Sequence, residues 1–279
     1  MATSGDTRRG RTLLVGYFSL TFAWTWTLWA AATTPLPDAM LFMLFMMGGL
    51  GPLLGAGWVL RRSGRAYRRA FLRRIWDPRD VPANWWVALV AVAAGPALLG
   101  AAVTRLMGTE ASVPAYRLEA VGAVIVFALA AGLAEEPGWR GAASDVFQVA
   151  TRPVGAAIGI GLLWALWHVP LYFIEGSYQH GLGFGSVRFW LFSLALVELG
   201  VIYVWLTNGS GGSILVAVLA HAGFNAVGEL VPRSTAGDVT ALLVLTAATA
   251  VIVTATKGRL CSDVAGSATL ELPPDAAGP

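Results

Sequence analysis

Long apolar runs broken by short polar segments set the pattern of this chain. The first run extends from Thr12 to Ala32 and stops at Thr34-Pro35-Leu36-Pro37-Asp38. Others cover about 40–60, 85–103, 119–140, 153–174, 188–206, 214–230 and 239–255. Each approaches the ~20 apolar residues that a helix needs to cross the hydrocarbon core. The pattern predicts an all-α, polytopic membrane protein of about eight transmembrane helices, with one membrane-embedded domain over 12–260. The first run is longer than the roughly 7–15 apolar residues of a signal peptide and rich in Trp, so it reads as a span. Residues 1–11 read as a polar cytoplasmic segment, and 261–279, rich in Pro, Ala and Gly, as a disordered tail. Gly48, Gly49, Gly51, Gly55 and Gly57 suit close packing of the second span.

Composition agrees. The chain is 56% hydrophobic and 13% charged, against about 25% charged for soluble domains. Of its 19 basic residues only Lys257 is lysine, which, with abundant Ala, Gly and Val, points to a GC-rich bacterial gene. Eight arginines fall between Arg61 and Arg79. The positive-inside rule assigns that loop to the cytoplasm. With both termini also inside, fifteen of the 19 basic residues lie on the inner side and four on the outer. The expectation is a multi-pass protein of the cell membrane with both termini cytoplasmic. The arginine cluster reads as topogenic and lipid-facing, with the bilayer as partner and no nucleic acid. A single cysteine, Cys261, excludes an intramolecular disulfide.

Charge inside the runs is scarce, which singles out Ala134-Glu135-Glu136-Pro137-Gly138-Trp139-Arg140-Gly141. An ionisable side chain at membrane depth is costly and usually faces the protein interior. Glu136 and Arg140 are four apart and suit a structural ion pair. Pro137 disfavours helix at Glu136, so a kink or a new helix start is expected between the two glutamates. Other intramembrane polar residues are His168, His221, Asn225 and Glu198. Glu135 and His168 are equidistant from the break at Thr151-Arg152-Pro153. Glu198 and His221 are equidistant from the Asn208–Ser213 turn. Folded as helical hairpins, each pair sits level. Trp164 shares a helix face with His168, and His221 shares one with Asn225. Glu198 is read either as a protonated packing acid or as an outer support of the site. His180 and Glu229 read as surface residues.

A carboxylate beside imidazole in a partly dry cavity suits activation of water. His221 and Asn225 on one helix face suit hydrogen bonding to an oxyanion. No serine or cysteine joins them, which disfavours covalent catalysis. The expectation is a site without cofactor. The alternative is a Zn2+ ion held by Glu135, His168 and His221, a common catalytic donor set, although His-Glu-x-x-His is absent.

Glu-Glu-x-x-x-Arg at 135–140, aromatic-x-x-x-His at 164–168 and His-x-x-x-Asn at 221–225 resemble the three motifs of the CPBP family, the CAAX-protease and bacteriocin-processing, Rce1-like, glutamate-type intramembrane proteases. The similarity covers a catalytic core of about 120–230. It implies an eight-helix fold enclosing a conical intramembrane cavity open to cytosol and bilayer. It also implies an intramembrane endopeptidase acting on a membrane-associated peptide or lipidated peptide. By position, Glu135 is the base, His168 helps hold the water, and His221 and Asn225 form the oxyanion hole. Glu136, Arg140 and Trp164 support the site; the family usually has Phe where Trp164 stands. The alternative on the same scaffold is a non-proteolytic protein of bacteriocin immunity or small-molecule handling.

Overall fold

In a computed structural model, residues 4–108 and 118–263 are described, and every regular element among them is helical. The chain runs α1 (Ser4–Ala31), α2 (Asp38–Gly48), α3 (Gly51–Arg61), α4 (Arg65–Trp76), α5 (Ala83–Leu106), α6 (Leu118–Glu136), a π-helical segment Pro137–Ala143, α7 (Ser144–Ala150), α8 (Pro153–Trp167), a 3-10 segment Val169–Phe173, α9 (Tyr178–Leu182), α10 (Val187–Gly209), α11 (Ile214–Leu230) and α12 (Thr235–Ala255). Six stretches among the described residues are long and apolar enough to cross a membrane: 38–61, 83–106, 120–150, 153–173, 187–209 and 235–255. This is a polytopic membrane protein. Two of the eight expected spans fall outside that set. α11, at 17 residues, is short. α1 has 28 residues but carries many Trp and Thr side chains, which lower its hydropathy. The polar residues from Ser4 to Arg11 form its first turns. The tail expectation for 264–279 lies outside the described residues, as do Glu110 and Arg117 of the loop before α6.

The second span is two helices. Its polypeptide turns at Gly49-Leu50, and side chains of α1 satisfy the carbonyls around the break. Thr25 Oγ1 donates to Gly48 O at 2.7 Å, Trp24 Nε1 to Met47 O at 2.7 Å and Trp29 Nε1 to Phe45 O at 3.0 Å. Irregular backbone at membrane depth is tolerated where neighbouring helices supply such partners.

α8 packs on α10, α10 on α12, and α11 on α6 and α5. Two glycine contacts fix this arrangement. A Cβ on Gly161 would lie 2.8 Å from Val197 Cα, and one on Gly200 2.8 Å from Gly161 Cα, so α8 and α10 cross backbone to backbone. A Cβ on Gly132 would lie 2.7 Å from Val218 O, which brings α11 against α6 one turn before Glu136.

Outside the spans, α4 is docked by its inner face. Tyr67, Phe71 and Ile75 are buried. Arg74 forms a bidentate pair with Asp145 of α7 and donates to Gly212 O, and the Tyr67 hydroxyl donates to Asp145 at 2.7 Å. Burial opposes the Arg74 charge, yet Asp145 beside it raises the guanidinium above its ordinary range. Burial, reinforced by Asp145, pushes the Tyr67 hydroxyl well above its own range, so it remains a donor. At the opposite end of α10, Asp238 of α12 accepts from Arg188 at 3.0 Å and Arg233 at 3.1 Å.

Candidate active site

The kink or new helix start expected between Glu135 and Glu136 falls one residue later, as a change of helix type at Pro137. α6 continues into a π-helical turn that starts at Pro137, and Glu136 keeps helical angles (φ −67°, ψ −34°). Proline lacks an N–H, and its ring clashes with the carbonyl four residues earlier. A wider π turn changes that hydrogen-bond register, so the helix passes through the proline instead of stopping. All seven residues of the turn are buried.

Trp164, on the last turns of α8, is the centre of the polar cluster. Its Nε1 donates to Glu135 Oε2 at 2.7 Å, and its carbonyl oxygen lies 2.8 Å from His168 Nδ1. A carbonyl only accepts, so His168 Nδ1 carries the proton and Nε2 is left with a free lone pair. The Trp164 ring meets His168 at 5.8 Å and His221 at 5.5 Å between centroids. The Arg140 guanidinium stands over the same ring at 4.1 Å and over Tyr203 at 4.9 Å. His168 sits at the C-terminal cap of α8, where the helix gives way to the 3-10 segment carrying Pro170.

Glu136 forms the second half of the cluster. Its Oε1 accepts from Arg140 Nη1 at 3.0 Å, the i, i+4 pair read from the spacing. The same oxygen is 2.7 Å from His221 Nδ1. Glu136 and Arg140 have no exposed surface, and Glu135, His168 and His221 are buried with slight exposure. A carboxylate on Nδ1 fixes the orientation and tautomer of the imidazole.

Asn225 lies one turn beyond His221 and is exposed. Among the described residues no hydrogen bond joins Glu198 to His221. α10 packs mainly on α8 and α12 while still touching α11, and the Glu198 carboxylate accepts from Thr246 of α12 at 3.2 Å. His180 is exposed, with Nδ1 3.1 Å from Tyr172 O. Among the described residues no three His, Cys, Asp or Glu side chains stand together as metal donors.

Sequence reasoning missed Tyr203 and Trp167. Tyr203 is fully buried and lies 6.2 Å from the His221 ring. Trp167 packs edge-on to His168 at 4.9 Å and donates to Thr25 Oγ1 at 2.9 Å, tying α8 to α1. Neither stands in a spacing relation to an acidic or imidazole side chain on its own helix that separates it from core aromatics, apart from the immediate neighbour His168.

A family profile described as Type II CAAX prenyl endopeptidase Rce1-like matches residues 117–227, the stretch that carries Glu135, Trp164, His168, His221 and Asn225. A curated relative, CAAX prenyl protease 2 of Methanococcus maripaludis, is 27% identical over 227 residues, which is 77% of this chain and 83% of the relative. The profile falls on the helices that build the polar cluster, and the relative extends the likeness across most of the fold. Over the helices that carry the site the chain is similar to Rce1-like CAAX prenyl endopeptidases, and this likeness indicates a membrane-embedded protease.

Proposed function

We propose that the protein is an intramembrane endopeptidase that hydrolyses a peptide bond with a water activated by Glu135 and His168. The observation that carries this reading is the Trp164 bridge. One indole orients the carboxylate through Nε1, while its backbone oxygen orients His168 so that Nε2 is free to accept. A water held between Glu135 and His168 Nε2 attacks the scissile carbonyl. Glu135 takes the water proton and returns it to the leaving amine. His221 and Asn225, on one face of α11, donate to the oxyanion. Because Glu136 holds His221 by Nδ1, donation from Nε2 requires the doubly protonated ring, so the reaction slows as pH rises. Glu136 and Arg140 anchor His221.

The substrate is a peptide associated with the bilayer. The name of the archaeal relative makes a prenylated CAAX peptide the first candidate. The test is turnover by the purified full chain of a farnesylated CAAX peptide and of its unlipidated counterpart. Glu135→Gln is expected to abolish cleavage of either with no loss of folded yield. Cleavage by the Gln variant at the wild-type rate would overturn the assignment of the base.

A further inference from the structure

The outer face of α4 is separate from the site and remains unexplained by it. With Tyr67, Phe71 and Ile75 turned inward, a stripe of Arg65, Arg69, Leu72 and Trp76 points outward, with Arg73 beside it. Leu72 is 53% and Trp76 64% exposed. Arg65, Arg69 and Arg73 have no ion-pair partner among the described residues. Leu72 and Trp76 also line a shallow groove together with Arg73, Asp77, Pro78 and Arg79. Three residues link α4 to α3 and six link it to α5, and both of those helices belong to candidate spans. Such short links, with Arg74 clamped to Asp145, hold the stripe at the membrane surface. Arginine forks match phosphate oxygens. An indole next to them suits the boundary between headgroups and acyl chains.

We propose that the outer face of α4 is a binding site for the phosphodiester headgroups of anionic phospholipids. Arg69 and Arg73 engage the phosphate, and Leu72 and Trp76 enter the upper acyl region. A soluble acidic protein is the less favoured occupant, because the stripe pairs its charges with exposed apolar groups at the level of the bilayer. The site is independent of the reaction proposed above.

The test is native mass spectrometry of the full chain released from nanodiscs of mixed phosphatidylcholine and phosphatidylglycerol, with retained lipids counted. Preferential retention of phosphatidylglycerol is expected. Arg69→Gln with Arg73→Gln is expected to reduce it about fivefold for each arginine removed, following the ~1 kcal/mol per basic residue near an anionic surface. Trp76→Ala is expected to weaken retention of both lipids. Arg105→Gln, at the far end of α5, is the control and is expected to change nothing. Equal retention of the two lipids, or a preference that survives the double substitution, would overturn the proposal. So would full displacement of lipid by inorganic phosphate or by a poly-glutamate peptide, which would assign the face to a soluble anion or an acidic partner.

Discussion

Arg140 holds a full charge with no exposed surface, and one carboxylate oxygen of Glu136 serves both it and His221. The rings of Trp164 and Tyr203 lie against its guanidinium. Removing one partner of a buried pair strands the other, at about 3–5 kcal/mol. Arg140→Ala is therefore expected to lower thermal stability by that order and to release His221, whereas Glu135→Gln leaves stability near wild type. A melting curve for each in the same detergent checks the contrast. Asn225 differs, because it is exposed. Loss of an oxyanion donor costs about 100- to 1,000-fold in turnover. Asn225→Ala is expected to slow the reaction by that order with little change in KM, and Asn225→Asp to be at least as slow. The zinc alternative has the opposite expectations: the Asp variant stays active, and chelation abolishes turnover until the metal is restored. Turnover after exhaustive chelation, with metal content measured alongside, decides between them.

Close helix crossings carry these side chains to one place. The α8–α10 contact depends on Gly161 and Gly200, since any side chain there meets backbone and not a flexible tip. A backbone cannot yield as a side chain can, so Gly161→Leu forces the helices apart. Overpacking typically costs about 1–3 kcal/mol. Here it also moves Trp164, three residues along α8, away from Glu135. Turnover is expected to fall by more than the stability loss accounts for, while Gly155→Leu, in open space on the same helix, leaves both near wild type. Parallel measurements of melting and of turnover at saturating substrate separate the two effects.

At the level of the whole molecule, the docked α4 and the Arg188–Asp238–Arg233 cluster mark opposite ends of α10 and α11. From the basic asymmetry we propose that the α4 end faces the cytoplasm. Cysteine labelling checks this, but not at Ser63, which is buried and donates to Val59 O. Ala66 and Gly181 are exposed and suit the purpose. In a Cys261→Ser background, Ala66→Cys is expected to react only with reagent on the cytoplasmic side and Gly181→Cys only from outside. Reaction of both from one side would exclude the proposed orientation.

Sequence alone determined what depends on local composition and period. Apolar runs of spanning length, the helical class and the Glu136–Arg140 pair all follow from distances along one chain. So does the short list of residues too polar for their surroundings. Tertiary structure decided which helices stay adjacent. Symmetry about a turn correctly brought Glu135 within one helical turn of His168, through Trp164, because α8 folds back toward the end of α6. For Glu198 the partner was decided by packing: the glycine crossing commits α10 to α8, Gly132 commits α11 to α6, and Glu198 accepts from Thr246 of α12. The passage of the helix through Pro137 was likewise a tertiary outcome. Propensity predicts a kink or a new helix start there, and the structure answers with a buried π turn that keeps Glu136 helical. Pairing of His221 with Glu136 followed from that continuous helix, since no rule of spacing links residues on two helices until packing sets their distance.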